Sequence, residues 1–170
     1  EQSPDVVVVT DLEGRITYVN PRFTEVTGYG PQEAVGQNPR LLKSGRTPPS
    51  VYAELWTALA AGRVWSGEMI NRRKNGELYW SRLLVAPLRD DHGRVVQFVA
   101  VGEDVTARKE AEATRQAMLD GLRAVLEVAD ELIAAPDLEA VYRRAVELAR
   151  DKLGLVRVGL VLLRDGAAWG

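Results

Sequence analysis

Trp65-Ser-Gly-Glu-Met-Ile-Asn71-Arg-Arg-Lys-Asn75-Gly76-Glu-Leu-Tyr79-Trp80, continuing through Leu83-Leu-Val-Ala-Pro87 to Val95-Val-Gln-Phe-Val-Ala-Val101-Gly-Glu-Asp104-Val-Thr106, decides how this chain folds. It reads as three consecutive antiparallel strands, the last of which passes directly into a highly charged helix. Asn75-Gly76 is expected to supply the two positive-φ positions of a tight hairpin, and Asp90-Asp91-His92-Gly93 has the composition of the next turn. If Met69 points inward, Trp65, Gly67 and Asn71 share its face. On the following strand Tyr79, Ser81, Leu83 and Val85 then take one face and Trp80, Arg82, Leu84 and Ala86 the other.

Upstream, Asp5 to Thr10 and Arg15 to Val19 are β-branched runs separated by the turn composition Asp11-Leu-Glu-Gly14, so the chain opens with a hairpin. Asn20 is placed to cap a short helix that has Pro21 in its first position and Gly28 as its stop. From Pro31 to Pro48 the glycines and prolines permit only short helical turns. A longer helix is predicted over about Ser50 to Ala61, with Val51, Tyr52, Leu55 and Leu59 on one side and Gly62 ending it. The expected order is β-β-α-α-α-β-β-β.

Composition bounds the function. At 46% hydrophobic and 27% charged residues the chain is ordinary globular material, and no run approaches the roughly 20 apolar residues that cross a bilayer. A net charge of −2 leaves no basic field for nucleic acid, and Arg72-Arg73-Lys74 reads as a charged hairpin tip. With no cysteine there is no disulfide, thiolate nucleophile or thiolate metal site, which is compatible with a cytoplasmic location. Nothing at Glu1 resembles a signal peptide, and so abrupt a start suggests a piece cut from a longer chain. There is no P-loop, dinucleotide fingerprint or metal-ligand cluster, and Glu33, Glu68 and Glu103 are scattered carboxylates, so no catalytic activity and no metal are expected.

After Thr106 the sequence Ala-Arg-Lys-Glu-Ala-Glu-Ala-Thr-Arg-Gln-Ala-Met predicts a long helix to about Ala135. Ala111, Met118, Val125 and Leu132 lie seven apart, interleaved by Arg115, Leu122 and Ala129, which is the spacing of a coiled-coil seam. Met118, Leu122, Val125, Ala129 and Leu132 are therefore the candidate contacts to a second copy; an amphipathic helix packed on its own domain gives the same stripe. Pro136-Asp137 breaks and recaps the chain for a helix to about Lys152, Gly154 stops it, and Leu155 to Leu163 alternates as a strand through Val156, Val158, Leu160 and Leu162.

Residues 1–106 resemble a PAS domain. The likeness is carried by Asp11-Leu-Glu-Gly-Arg-Ile-Thr-Tyr-Val-Asn20, Phe23-Thr-Glu-Val-Thr-Gly-Tyr29, Gly36-Gln-Asn-Pro-Arg-Leu-Leu, the Trp65 to Trp80 hairpin and the terminal Asp104-Val105-Thr106, which matches the family's PAC-type ending. It implies an α+β fold with a five-stranded antiparallel sheet, helices on one face and a small pocket between them, then a long C-terminal helix. Residues 107–120 would be a coiled-coil-like signalling linker, and 121–170 resemble the opening helices and strand of a GAF domain, truncated.

In the family the pocket holds flavin, haem or a metabolite in some members and nothing in others. Histidine-ligated haem is not expected, because the only histidine is His92, in a turn. Blue-light members resemble this chain around Gly36 to Arg40 but bond flavin covalently to a cysteine standing where Pro39 stands; that photochemistry is excluded here. The resemblance places Asn38 and Asn71 at positions that contact flavin, and Trp56 at a tryptophan found in FAD-binding redox sensors regulating nitrogen fixation. Arg40 near a cofactor phosphate would be sensible electrostatics, an exposed arginine being the alternative, and Ser81 stands where the blue-light proteins have a second asparagine. A glutamine on the last strand is Gly102 here, so ring-edge contacts are fewer. Trp56 as core packing and Asn71 bonded to backbone or water are the structural alternatives.

The resemblance implies a sensory and dimerisation module of a multidomain bacterial-type signal-transduction protein, with a histidine kinase or cyclic-dinucleotide enzyme as downstream output domain in the same chain. Gly102, Asp104 and Thr106 would transfer the signal from pocket to helix. The alternatives are a ligand-free relay that only dimerises, or a redox sensor holding FAD or FMN non-covalently.

Overall fold

Asp11, Arg73 and Asp90 each close a turn in the same way. Their carbonyls accept the amides of Gly14, Gly76 and Gly93 at 3.1, 2.9 and 2.9 Å, and their own amides donate to the carbonyls of Arg15, Glu77 and Arg94. The three glycines take φ of +77°, +92° and +77°, the left-handed position that a three-residue hairpin loop needs at its end. The turn at Asn75-Gly76 is thus not the two-residue hairpin expected from the sequence. Its loop is Lys74-Asn75-Gly76, because the Lys74 amide leaves the ladder to donate to the Thr27 carbonyl at 2.8 Å.

The computed structural model describes residues 5–153, 162–164 and 167–169. Residues up to Glu110 form one compact unit and those from Ala111 another. In the first, β1 (Val6–Thr10) and β2 (Ile16–Val19) are followed by α1 (Pro21–Thr27), α2 (Pro31–Ala34), a 3-10 turn (Pro39–Leu42) and α3 (Pro49–Ala60). Then come β3 (Trp65–Arg72), β4 (Leu78–Arg89) and β5 (Val95–Asp104). All five strands form one antiparallel sheet in the order β2-β1-β5-β4-β3, which brings the last strand beside the first.

Asn20 starts α1 as its composition required. Its Oδ1 accepts from the amides of Phe23 and Val7, both at 3.0 Å, while its Nδ2 donates to the Asp5 carbonyl at 2.8 Å, so one buried amide caps a helix and fastens it to β1. The open edge of β3 is guarded by Lys43 to Thr47: Lys43 bridges Asn71, and Thr47 Oγ1 both accepts from the Ile70 amide and donates to its carbonyl.

The apolar interior is in two parts. Val8, Ile16, Val19, Phe23, Ala34 and Leu42 form one cluster; Ala58, Leu59, Trp65, Met69 and Val85 form the other, and Ala100 on β5 packs against both. The inward set on β3 and β4 is the one the alternation predicts: Trp65, Met69, Asn71, Tyr79, Ser81 and Val85 are all buried. Gly67 belongs to that set because the Trp65 ring lies over it; a Cβ there would stand 2.4 Å from the ring.

α4 (Thr106–Ile133) is one continuous helix, unbroken at 120/121, the expected end of the linker. In the second unit α5 (Leu138–Leu153) begins with the Ala140 amide on Asp137 Oδ1 at 2.7 Å, the cap its sequence anticipates. The Arg144 guanidinium meets Glu131 of α4 at 2.5 Å. Of the predicted strand 155–163, residues 155–161, with Val156, Val158 and Leu160, lie outside the described residues; β6 (Leu162–Arg164) pairs antiparallel with β7 (Ala167–Trp169). Met118, Leu122 and Val125 are 69%, 51% and 61% exposed, Ala129 is half-buried, and the side chain of Leu132 lies outside what is described.

Candidate functional site

A cavity of about 460 Å³ lies within the first unit, lined from both apolar clusters and so parting the core around itself. That volume falls in the roughly 300–1,000 Å³ range of small-molecule sites. Val6, Val8, Met69, Leu83, Val85 and Phe98 give it apolar walls from the sheet, and Leu55 and Leu59 from α3.

All five residues proposed from the sequence as cofactor contacts line this one space: Asn38, Arg40, Trp56, Asn71 and Ser81. They do so differently. Asn71 and Ser81 are buried on adjacent strands, where Asn71 pairs with Tyr79 and Ser81 with Met69. Asn38 is the cap of the 3-10 turn: its Nδ2 donates to the Gly14 carbonyl at 3.0 Å, and its Oδ1 accepts from the Arg40 amide and Nε at 3.0 and 3.3 Å. Most of its hydrogen-bonding capacity is therefore spent on structure. Arg40 is exposed, and Trp56 is 51% exposed, so Trp56 is a rim residue and not core packing.

The sequence did not single out the two tyrosines of the wall. Tyr79 is buried, and burial foremost pushes its phenol up to about 12, against a hydrogen bond from Asn71 and the Arg73 charge, which pull it down. The Arg73 guanidinium sits 4.5 Å from the Tyr79 ring centroid. Tyr52, in the first turn of α3, has a buried hydroxyl without a hydrogen-bond partner. Strand parity already put Tyr79 inside; nothing local marks Arg73.

Arg73 links this wall to the helix joint. Its guanidinium donates to the Val26 carbonyl at the end of α1 and meets Asp104 Oδ2 at 2.6 Å. Asp104 Oδ1 accepts from the Thr106 amide at 3.0 Å and from the Thr106 hydroxyl at 2.6 Å, and the Thr106 oxygen accepts from the Trp80 amide at 2.9 Å. Burial works to raise the Asp104 carboxyl, but the Thr106 hydroxyl and Arg73 outweigh it, so it lies below its ordinary value. Val105, 2% exposed, donates to the Trp80 carbonyl at 2.9 Å, and the sheet pairing thus runs straight into α4. On the sheet's other face Glu68 meets Lys109 at 2.6 Å and Arg108 at 3.7 Å, and Lys109 also stands over the Trp80 ring. Gly102, buried on β5 opposite Leu83, has no room for a side chain: a Cβ would lie 2.8 Å from a Leu83 methyl.

The family model of the PAS domain matches residues 4–107. The chain belongs to the PAS family. The nitrogen fixation regulatory protein of Klebsiella pneumoniae is 32% identical over 138 residues, which cover 77% of this chain and 28% of that protein. A blue-light-activated histidine kinase of Rhizobium johnstonii is 38% identical over 112 residues, 63% of this chain and 32% of that one. Among solved structures, the LOV domain of a blue-light activated histidine kinase from Erythrobacter litoralis superposes with a TM-score of 0.58 at 29% identity, covering 62% of this chain and 99% of that domain. The chain spans 28% and 22% of the length of curated relatives it matches. The five strands, their order and the helices between β2 and β3 are thus those of a PAS domain, with the cavity between its sheet and its helices.

Proposed function

We propose that this PAS domain is the sensory module of a larger signal-transduction protein and that its cavity holds a flavin, FAD or FMN, without a covalent bond. The observation that carries this reading is the buried Asn71 amide on the cavity wall, with Ser81 two strand positions from its partner Tyr79. An amide offers both donor and acceptor, which the alternating carbonyl and N–H edge of an isoalloxazine ring requires. The apolar walls suit the ring faces, and Arg40 beside the cavity suits a phosphate. The likeness to blue-light-activated kinases and a LOV domain supports the same ligand. With no cysteine in the chain the flavin supplies redox chemistry and forms no thiol adduct.

The protein residues carry the response outward. Asn71 and Tyr79 share a hydrogen bond, Arg73 lies on the Tyr79 ring and on Asp104, and Asp104 holds the first turn of α4 through Thr106. A change at Asn71 therefore alters the partners of the residues that fix where α4 starts. α4 pairs with a second copy through Met118, Leu122 and Val125, residues 121–170 open a GAF-like domain, and the output, a histidine kinase or a cyclic-dinucleotide enzyme, follows in the same chain. The segment itself is not catalytic. No helix among the described residues is long and apolar enough to cross a membrane, in keeping with a cytoplasmic protein.

The absorption spectrum of the purified protein tests the ligand: a yellow chromophore released on denaturation is expected, weakened by Asn71→Ala. A ligand-free dimerisation relay is the second reading, favoured by the way Asn38 is already bonded to Gly14 and Arg40, and Asn71 to Tyr79, within the protein. A colourless dimer that takes up no added flavin decides for it.

A further inference from the structure

Among the described residues one buried side-chain polar atom has no hydrogen-bond partner, the hydroxyl of Tyr52. Buried hydroxyls are nearly always paired, since an unpaired one forfeits its hydration for nothing. Tyr52 lies on the cavity wall among Leu55, Leu59 and Met69. Its orientation is not slack: the Lys43 ammonium stands 5.0 Å from the ring centroid, and Lys43 is bridged through its backbone to Asn71. The ring is thus tied to the strand residue that the proposed ligand contacts, while its hydroxyl is left over.

We propose that Tyr52 is a ligand-recognition residue of this cavity, whose hydroxyl donates a hydrogen bond to an acceptor atom, a carbonyl oxygen or ring nitrogen, of a flat heteroaromatic guest. Asn71 then reads the guest from β3 and Tyr52 from α3. This rests on the flavin reading and adds to it a contact from the helix wall. It also explains why an otherwise apolar helix face carries a phenol where phenylalanine would fill the same space without an orphaned group.

The inference makes two effects of one substitution run in opposite directions. Tyr52→Phe removes only the oxygen, so in flavin-stripped protein it leaves stability to urea unchanged or raises it. In the same full chain it weakens binding of FMN and FAD, followed by quenching of flavin fluorescence, roughly 3- to 30-fold. Equal flavin affinity in Tyr52→Phe and the wild type overturns the role of Tyr52 and leaves the flavin reading standing. A stripped variant less stable than stripped wild type also overturns it, because the hydroxyl then has a partner in the free protein. Wild type that takes up neither FMN nor FAD overturns the flavin reading, and this inference with it.

Discussion

Tyr79 is held between opposing influences, and its titration is the most direct probe of the wall. Burial raises its phenol from 10.0 to about 12, more than the Asn71 hydrogen bond and the Arg73 charge lower it. The unfolded chain therefore gives up this proton first as pH rises. The contribution of Tyr79 to stability is complete below pH 10 and is lost as pH climbs from 10 towards 12. Urea unfolding across that interval is expected to show a steep alkaline loss in the wild type and a flatter one in Tyr79→Phe. Identical alkaline limbs would mean that the phenol is not held away from water as described. Trp65 and Gly67 illustrate a second kind of single-residue constraint. The indole covers the glycine so closely that any side chain there must displace a buried ring.

The junction of β5 and α4 is where local chemistry becomes a mechanical connection. Asp104, buried enough for its bonds to Thr106 and Arg73 to count, has its carboxyl below the ordinary 3.8. A carboxyl lowered in the folded state stabilises above its unfolded value, and that stabilisation disappears as pH falls through 3.8 and then through the folded value. The protection factors of amides in the first turn of α4, rates taken relative to the unfolded chain at the same pH, are accordingly expected to fall below about pH 4 in the wild type. In Asp104→Asn they are expected to be low already at neutral pH, with little further change on acidification. An Asn variant as well protected as the wild type at neutral pH would show that Arg73 and Thr106 do not anchor the helix.

Much of this architecture was readable in advance because its causes are local. Alternation set which faces of β3 and β4 turn inward, and Asn20, Gly28 and Asp137 announced helix ends with their own side chains or backbone freedom. The loop at Asn75-Gly76 is one residue longer than the sequence predicts, since Asn-Gly suits either loop length and the distant Thr27 carbonyl makes the choice. Tyr52 and Arg73 were invisible as site residues for the same reason. Their significance lies in partners 47 and 31 residues away along the chain, or in having none.

At the scale of the assembled protein, α4 carries the proposed pairing. Its row of Met118, Leu122 and Val125 is more than half exposed at each position, an arrangement that a soluble helix usually covers. If a second copy covers it as proposed, the triple replacement of these residues by glutamate should convert a dimer to a monomer in sedimentation velocity while leaving urea unfolding of the PAS domain nearly unchanged. A wild-type chain that sediments as a monomer at tens of micromolar would refute the pairing.

The parted core has a consequence of its own. Unfolding a protein abolishes its internal free space, so the system contracts, and hydrostatic compression favours the open form. A domain whose two apolar clusters are parted by a cavity walled chiefly by apolar side chains, which water fills poorly, is therefore more susceptible to compression than a solid one. That susceptibility shrinks as a guest fills the space, which makes tryptophan fluorescence at kilobar pressures a gauge of occupancy that needs no coloured ligand.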